Sequence, residues 1–125
     1  MKILIIDDSL LDRKLLMNTL KKGGFENEIL QAANGEDGLK ILGDQYSSIC
    51  LILLDWQMPV MDGIGFMKGI IRVPEVSSIP VVLITASGSD ENKKQAREIN
   101  PGLAGYLVKP YKPNELIELV KPFVK

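Results

Sequence analysis

The side chains able to do chemistry stand at the ends of apolar runs. Asp7 and Asp8 follow Ile3-Leu4-Ile5-Ile6, Asp55 follows Ile49 to Leu54, Thr85 ends Val81-Val82-Leu83-Ile84, and Lys109 follows Tyr106-Leu107-Val108. If those runs are parallel strands of one sheet, all of these groups project at the same rim. Three carboxylates within about 5 Å repel by roughly 3 kcal/mol per pair at an effective dielectric of 20. Such a cluster calls for a positive partner. Mg²⁺ is the natural one, since it prefers carboxylate and carbonyl oxygens and retains several waters. Lys109 supplies a further positive charge. A carboxylate, a hydroxyl, an ammonium and a divalent cation together make a site for a phosphoryl group.

Each residue also has an ordinary role open to it. Asp7 or Asp8 could cap a helix, although Ser9 already serves that purpose, and Asp55 could be a turn residue before Pro59. Thr85 could be a plain strand residue and Lys109 a solvated charge. Their convergence at one rim favours the chemical reading over coincidence.

Composition narrows the chemistry further. The chain has 125 residues, 46% hydrophobic and 25% charged, with a net charge of −1. That is one globular domain able to bury a core without crosslinks. No basic footprint for nucleic acid is present. There is one cysteine and no histidine, which excludes an internal disulfide, Cys-rich zinc sites, imidazole ligation and Ser-His or Cys-His nucleophiles. Cys50 lies in an apolar run and reads as core. The longest such run, Ile49 to Leu54, is far too short to cross a bilayer. No export signal is read at the N-terminus, so the expected location is cytoplasmic, with no membrane partner.

The elements that must position these groups are five β-like runs alternating with five helix-like stretches. The strands expected are Lys2–Asp7, Glu28–Ala32, Ile49–Asp55, Pro80–Thr85 and Ala104–Val108. The first, third and fourth are nearly continuous apolar runs, which suits strands covered on both faces, whereas the more polar second belongs nearer an edge. Ser9-Leu-Leu-Asp12 has the form of a capping box, and Gly23-Gly24 reads as the stop of that helix. Asn34, Asp62, and Ser89 or Ser87 are expected caps of the next three helices, and Pro113 suits the first turn of the fifth. Alternation with short connections argues for a parallel α/β sheet. In such sheets, sites form outside the carboxyl ends of the strands, where strand order reverses.

On Ile5-Ile-Asp-Asp-Ser9, Leu54-Asp-Trp-Gln-Met-Pro-Val-Met-Asp-Gly63, Ile84-Thr-Ala86 and Tyr106-Leu-Val-Lys-Pro110, the chain resembles the response-regulator receiver domains of two-component signalling. The resemblance covers essentially all of residues 1–125 as one CheY-like domain. It implies a flavodoxin-like (βα)5 three-layer sandwich around a parallel five-stranded sheet, in strand order 2-1-3-4-5.

The resemblance also implies roles. Asp55 would be the phosphoacceptor, becoming a 4-aspartylphosphate. Asp8 and Asp55 would ligate Mg²⁺ (or Mn²⁺), with the Gln57 backbone carbonyl as third protein ligand and Asp7 acting largely through water. Lys109 would pair with the phosphoryl oxygens, held there by a cis bond to Pro110. Thr85 and Tyr106 would be the switch, reshaping the surface of the fourth helix, fifth strand and fifth helix. Implied partners are a sensor histidine kinase or histidine phosphotransfer protein and a separate effector protein, with the domain a monomer or a phosphorylation-dependent dimer. It would be a switch that catalyses its own phosphorylation and dephosphorylation, with no further substrate.

Other positions vary in that family. Gln57 and Ser87 border the path of attacking water, Ala86 leaves access open, and bulky Trp56 stands beside the acceptor. Lys93, Lys94 and Arg97 read as a solvated helix face. Two other classes compete. A haloacid-dehalogenase-like phosphatase would carry a second aspartate two residues after the first-strand nucleophile, where this chain has Ser9. A pure binding module would not need the intact set of Asp7, Asp8, Asp55, Thr85 and Lys109.

Overall fold

The computed structural model describes residues 1–125. The chain runs β1 (Lys2–Ile6), α1 (Leu10–Lys22), β2 (Ile29–Ala32), α2 (Gly35–Gln45), β3 (Ile49–Leu54), α3 (Gly63–Ile70), β4 (Val81–Thr85), α4 (Asp90–Ile99), β5 (Gly105–Val108) and α5 (Pro113–Val120). All strand pairs are parallel and their order is β2-β1-β3-β4-β5. The flavodoxin-like sandwich is therefore present, with the more polar β2 at one edge.

Continuous apolar strands divide their side chains between two layers, because successive residues point to opposite faces. Leu4, Ile6, Ile52, Leu54 and Leu83 join one core with Phe66, Met67 and Ala96 of α3 and α4. Ile3, Ile5, Leu51, Leu53, Val82 and Ile84 join the other with Leu16, Leu20, Leu116 and Val120 of α1 and α5. All six residues of β3 are buried. Each such side chain contributes about 2 kcal/mol on burial, so β3 is the most firmly held strand.

The helix starts follow local chemistry. Ser9, Asn34, Asp62 and Ser89 each accept a hydrogen bond from the backbone N–H three residues on. Of the two serines considered before α4, Ser89 is the cap. At the far end of α1, Gly24 takes φ +90, the left-handed conformation that favours glycine.

Three expectations need correction. The strands stop one residue short of Asp7 and Asp55. Asp7 N–H still bonds Ala32 O and Asp55 N–H still bonds Ile6 O, but the ladders continue no further. A sixth helix, the single turn Pro74–Ser77, lies between α3 and β4; it is too short to show helical periodicity. Finally, only half of the Ser9–Asp12 capping box forms. The Ser9 N–H goes to Asp7 Oδ1, and the Asp12 carboxylate turns to Lys109.

The loop after β3 is drawn tightly back on the strand end. Gly63 N–H bonds Trp56 O at 2.8 Å, and a Cβ at Gly63 would lie 2.6 Å from Asp55 O and 3.0 Å from Trp56 Cα. These are backbone atoms of β3's end and cannot swing aside. Gly63→Ala should therefore destabilise the protein by about 1–3 kcal/mol, read from urea denaturation. An unchanged midpoint would show that the loop is free to relax.

Candidate functional site

The site follows from register. Ile6 pairs with Leu54 across β1 and β3, so Asp7 and Asp55 leave the sheet side by side. This is also where strand order reverses, the crevice in which open α/β sheets place ligands. On the other side, Thr85 pairs with Val108, and Lys109 N–H bonds Thr85 O at 2.8 Å. The Lys109–Pro110 peptide is cis.

Asp7, Asp8 and Asp55 bring carboxylate oxygens within 4.8 Å of one another. Asp7 and Asp55 are buried, whereas Asp8 is exposed. Lys109 Nζ lies 3.0 Å from Asp7 Oδ2, 2.9 Å from Asp12 Oδ2 and 3.9 Å from Asp55 Oδ2. Asp8, Asp55, Gln57, Thr85 and Lys109 line one open cleft of about 540 Å³, roomy enough for a phosphoryl group. Every expected site residue at the strand ends thus reaches this rim.

Two groups are shifted strongly. Burial is the largest influence on Asp55 and raises its carboxyl from 3.8 to about 6. Lys109 and a backbone hydrogen bond from Trp56 pull it down, and the charges of Asp7 and Asp8 push it up. For Lys109, burial alone would lower the ammonium, but hydrogen bonds to Asp12 and Asp7 and the charge of Asp55 outweigh it. They hold Lys109 above the usual lysine range. Three carboxylates that share one ammonium beside a low-dielectric strand end fit a hard cation by their donor set.

The loop that carries Gln57 is strained. Val60 has φ 69 and Met61 N–H bonds Pro59 O at 2.7 Å, a γ-turn. β-Branched residues rarely take that conformation. The turn folds Met58 and Pro59 over the cleft, which they help to line.

Tyr106 points toward the β4–α4 loop, where its hydroxyl donates to Ser87 O at 2.6 Å. Its ring meets Trp56 edge-on, with centroids 6.5 Å apart, and Lys93 Nζ stands 5.7 Å from its centroid, within cation–π range. Lys93 is thus more than a solvated charge.

Sequence reasoning missed Asp12 and Arg13. Asp12 makes the shortest ion pair to Lys109, and Arg13 Nη1 donates to Asp7 O while Nε donates to Gln31 Oε1. The signal was present: both lie on the first turn of α1, the turn that faces the strand ends.

A family profile described as the response regulator receiver domain matches residues 3–121. The chemotaxis protein CheY1 of Helicobacter pylori is 32% identical over 118 residues, spanning 94% of this chain and 92% of CheY1. The phosphate regulon transcriptional regulatory protein PhoB of Pseudomonas aeruginosa is 32% identical over 123 residues, 98% of this chain but 51% of PhoB. The chain thus spans about half the length of that relative. Among solved structures, the Vibrio cholerae chemotaxis protein CheY4 matches with a TM-score of 0.83 at 30% identity, covering 98% of this chain and 97% of CheY4. The Mn(2+)-bound form of response regulator Rcp1 matches with a TM-score of 0.78 at 28% identity, over 97% of this chain and 89% of that one.

The raised Asp55 carboxyl has a consequence for stability. Its folded value, about 6, exceeds the ordinary 3.8, so the ionised form destabilises the fold above pH 6 and the penalty fades as pH falls toward 4. Without divalent cations, Asp55→Asn should stabilise the protein at pH 7 by on the order of 2 kcal/mol, with the gain shrinking below pH 6. Denaturation series across this range test it. A pH-independent difference would contradict the assignment of burial as the cause.

Proposed function

This chain belongs to the response regulator receiver domains of two-component signalling, and from that premise we propose that Asp55 accepts a phosphoryl group from a phosphohistidine on a kinase or phosphotransfer protein. The observation that carries the reading is the placement of Asp55 at the crevice between β1 and β3. There it is flanked by the Asp7–Asp8 pair on one side and by Thr85 and Lys109 on the other.

The reaction asks little covalent chemistry of the protein beyond the nucleophile. An Asp55 carboxylate oxygen bonds phosphorus as the N–P bond of the donor breaks, and the departing imidazole takes a proton from solvent. Even raised to about 6, the Asp55 carboxyl lies below neutral pH, so the carboxylate form dominates there. Asp7, Asp8 and Asp55 would hold Mg²⁺ or Mn²⁺ with the Gln57 carbonyl, and the ion supplies charge neutralisation for the transferring oxygens. Lys109, three N–H donors on a charged head, would serve the same oxygens from the β5 side, and the buried Thr85 hydroxyl would donate to one of them.

Output is proposed to run through Thr85, Tyr106 and the α4–β5–α5 surface to a separate effector. Thr85 Oγ1 already accepts from Ser87 N–H at 3.3 Å, and Tyr106 holds the Ser87 carbonyl. A pull on Thr85 therefore reaches Tyr106 through one residue. Leu11 and Leu15 of α1 are 67% and 51% exposed, apolar side chains that a protein donor would cover. No helix is long and apolar enough to cross a membrane.

With Mg²⁺ and acetyl phosphate, intact-mass spectrometry should show one added phosphate on the wild type and none on Asp55→Asn. An unlabelled wild type, or a label that survives the substitution, would overturn the assignment.

A further inference from the structure

Asp12 takes no part in the chemistry above, yet it makes the shortest contact of the Lys109 ammonium. The ammonium lies 2.9 Å from Asp12, 3.0 Å from Asp7 and 3.9 Å from Asp55. An ammonium has three N–H groups. Two are committed to carboxylates on the β1–α1 side, and Asp55 stands beyond hydrogen-bonding distance.

We infer that Asp12 is a positioning residue acting through Lys109, a competing acceptor that draws the ammonium toward α1 and so limits how strongly the site holds a phosphoryl group. The inference rests on Asp55 being the phosphoacceptor. Asp7 and Asp12 differ in the freedom they leave Lys109. Asp7 is 2% exposed and is also bound to the Ser9 N–H, so its place is fixed. Asp12 is 35% exposed, and the helix cap uses its backbone N–H rather than its carboxylate. Its side chain can therefore release Lys109 and be solvated at little cost. A phosphoryl group on Asp55 must win the ammonium from Asp12 before it receives its full charge.

The Asp12–Lys109 pair also forms the wall between two clefts. One is the acceptor cleft; the other is apolar and lined by Leu15, Leu16, Pro110, Tyr111 and Pro113. The competing carboxylate thus stands at the surface, and its loss leaves the core untouched.

Beryllofluoride, which mimics the acyl phosphate, gives a direct test at saturating Mg²⁺, with the fluorescence of the sole tryptophan, Trp56 beside Asp55, as readout. Asp12→Asn keeps the backbone cap and should bind beryllofluoride about three- to tenfold more tightly. Its affinity for Mg²⁺ alone should stay the same or fall, since a negative charge is lost and a positive one is freed. A gain for beryllofluoride with no gain for Mg²⁺ separates the effect from a loosened site, which would weaken both. Glu91→Gln removes a charge at the same rim from a residue with no contact to Lys109, and should change beryllofluoride affinity by less than about twofold. The inference is overturned if Asp12→Asn binds beryllofluoride no more tightly than wild type, or if Glu91→Gln gives an equal gain. A wild type that binds no beryllofluoride would instead overturn the phosphoacceptor reading.

Discussion

The pairing of Ile6 with Leu54 is the constraint on which the rest depends. It delivers Asp7 and Asp55 to one crevice, with Asp8 beside them, and like charges at that distance repel. Backbone N–H groups of Trp56 and Ser9 relieve only part of this repulsion. Burial adds to the cost by raising the Asp55 carboxyl, and the fold offsets it in two ways: Lys109 reaches across from β5, and an open cleft lies beside the three carboxylates. Function on this account is the use of a site that is electrostatically incomplete.

The core makes that arrangement affordable. β3 is buried along its whole length and shares its side chains between both layers. The cost of one poorly solvated carboxylate is small beside the burial of six apolar residues. The tight return of the β3–α3 loop at Gly63 and the γ-turn at Val60 then confine the segment that carries Gln57. Rigid elements thus set the distances, while the half-exposed Asp12 carboxylate is the least fixed partner of Lys109.

Much of this was legible in the residues. The continuous apolar runs of β1, β3 and β4 marked them as central strands, and the alternation with helices fixed the class. The strand order came from family resemblance, since periodicity does not say which strand pairs with which. The gathering of Asp7, Asp8, Asp55, Thr85 and Lys109 followed from parallel strands ending at one rim. Asp12 was hidden for a specific reason: Ser-x-x-acid is the pattern of a capping box, and only the position of Lys109 in space shows that the carboxylate is spent elsewhere. Pro74–Ser77 was hidden because one turn has no period. The contacts of Tyr106 with Trp56, Ser87 and Lys93 join distant segments and leave no local trace.

The central claim is that burial beside other carboxylates raises the Asp55 carboxyl well above its ordinary range, and that a bound cation lowers it again. Side-chain ¹³C NMR of the Asp55 carboxyl, titrated with and without Mg²⁺, measures this directly. The account predicts a midpoint of about 6 without the ion and a large downward displacement with it. A midpoint near the ordinary 3.8 in both conditions would contradict it.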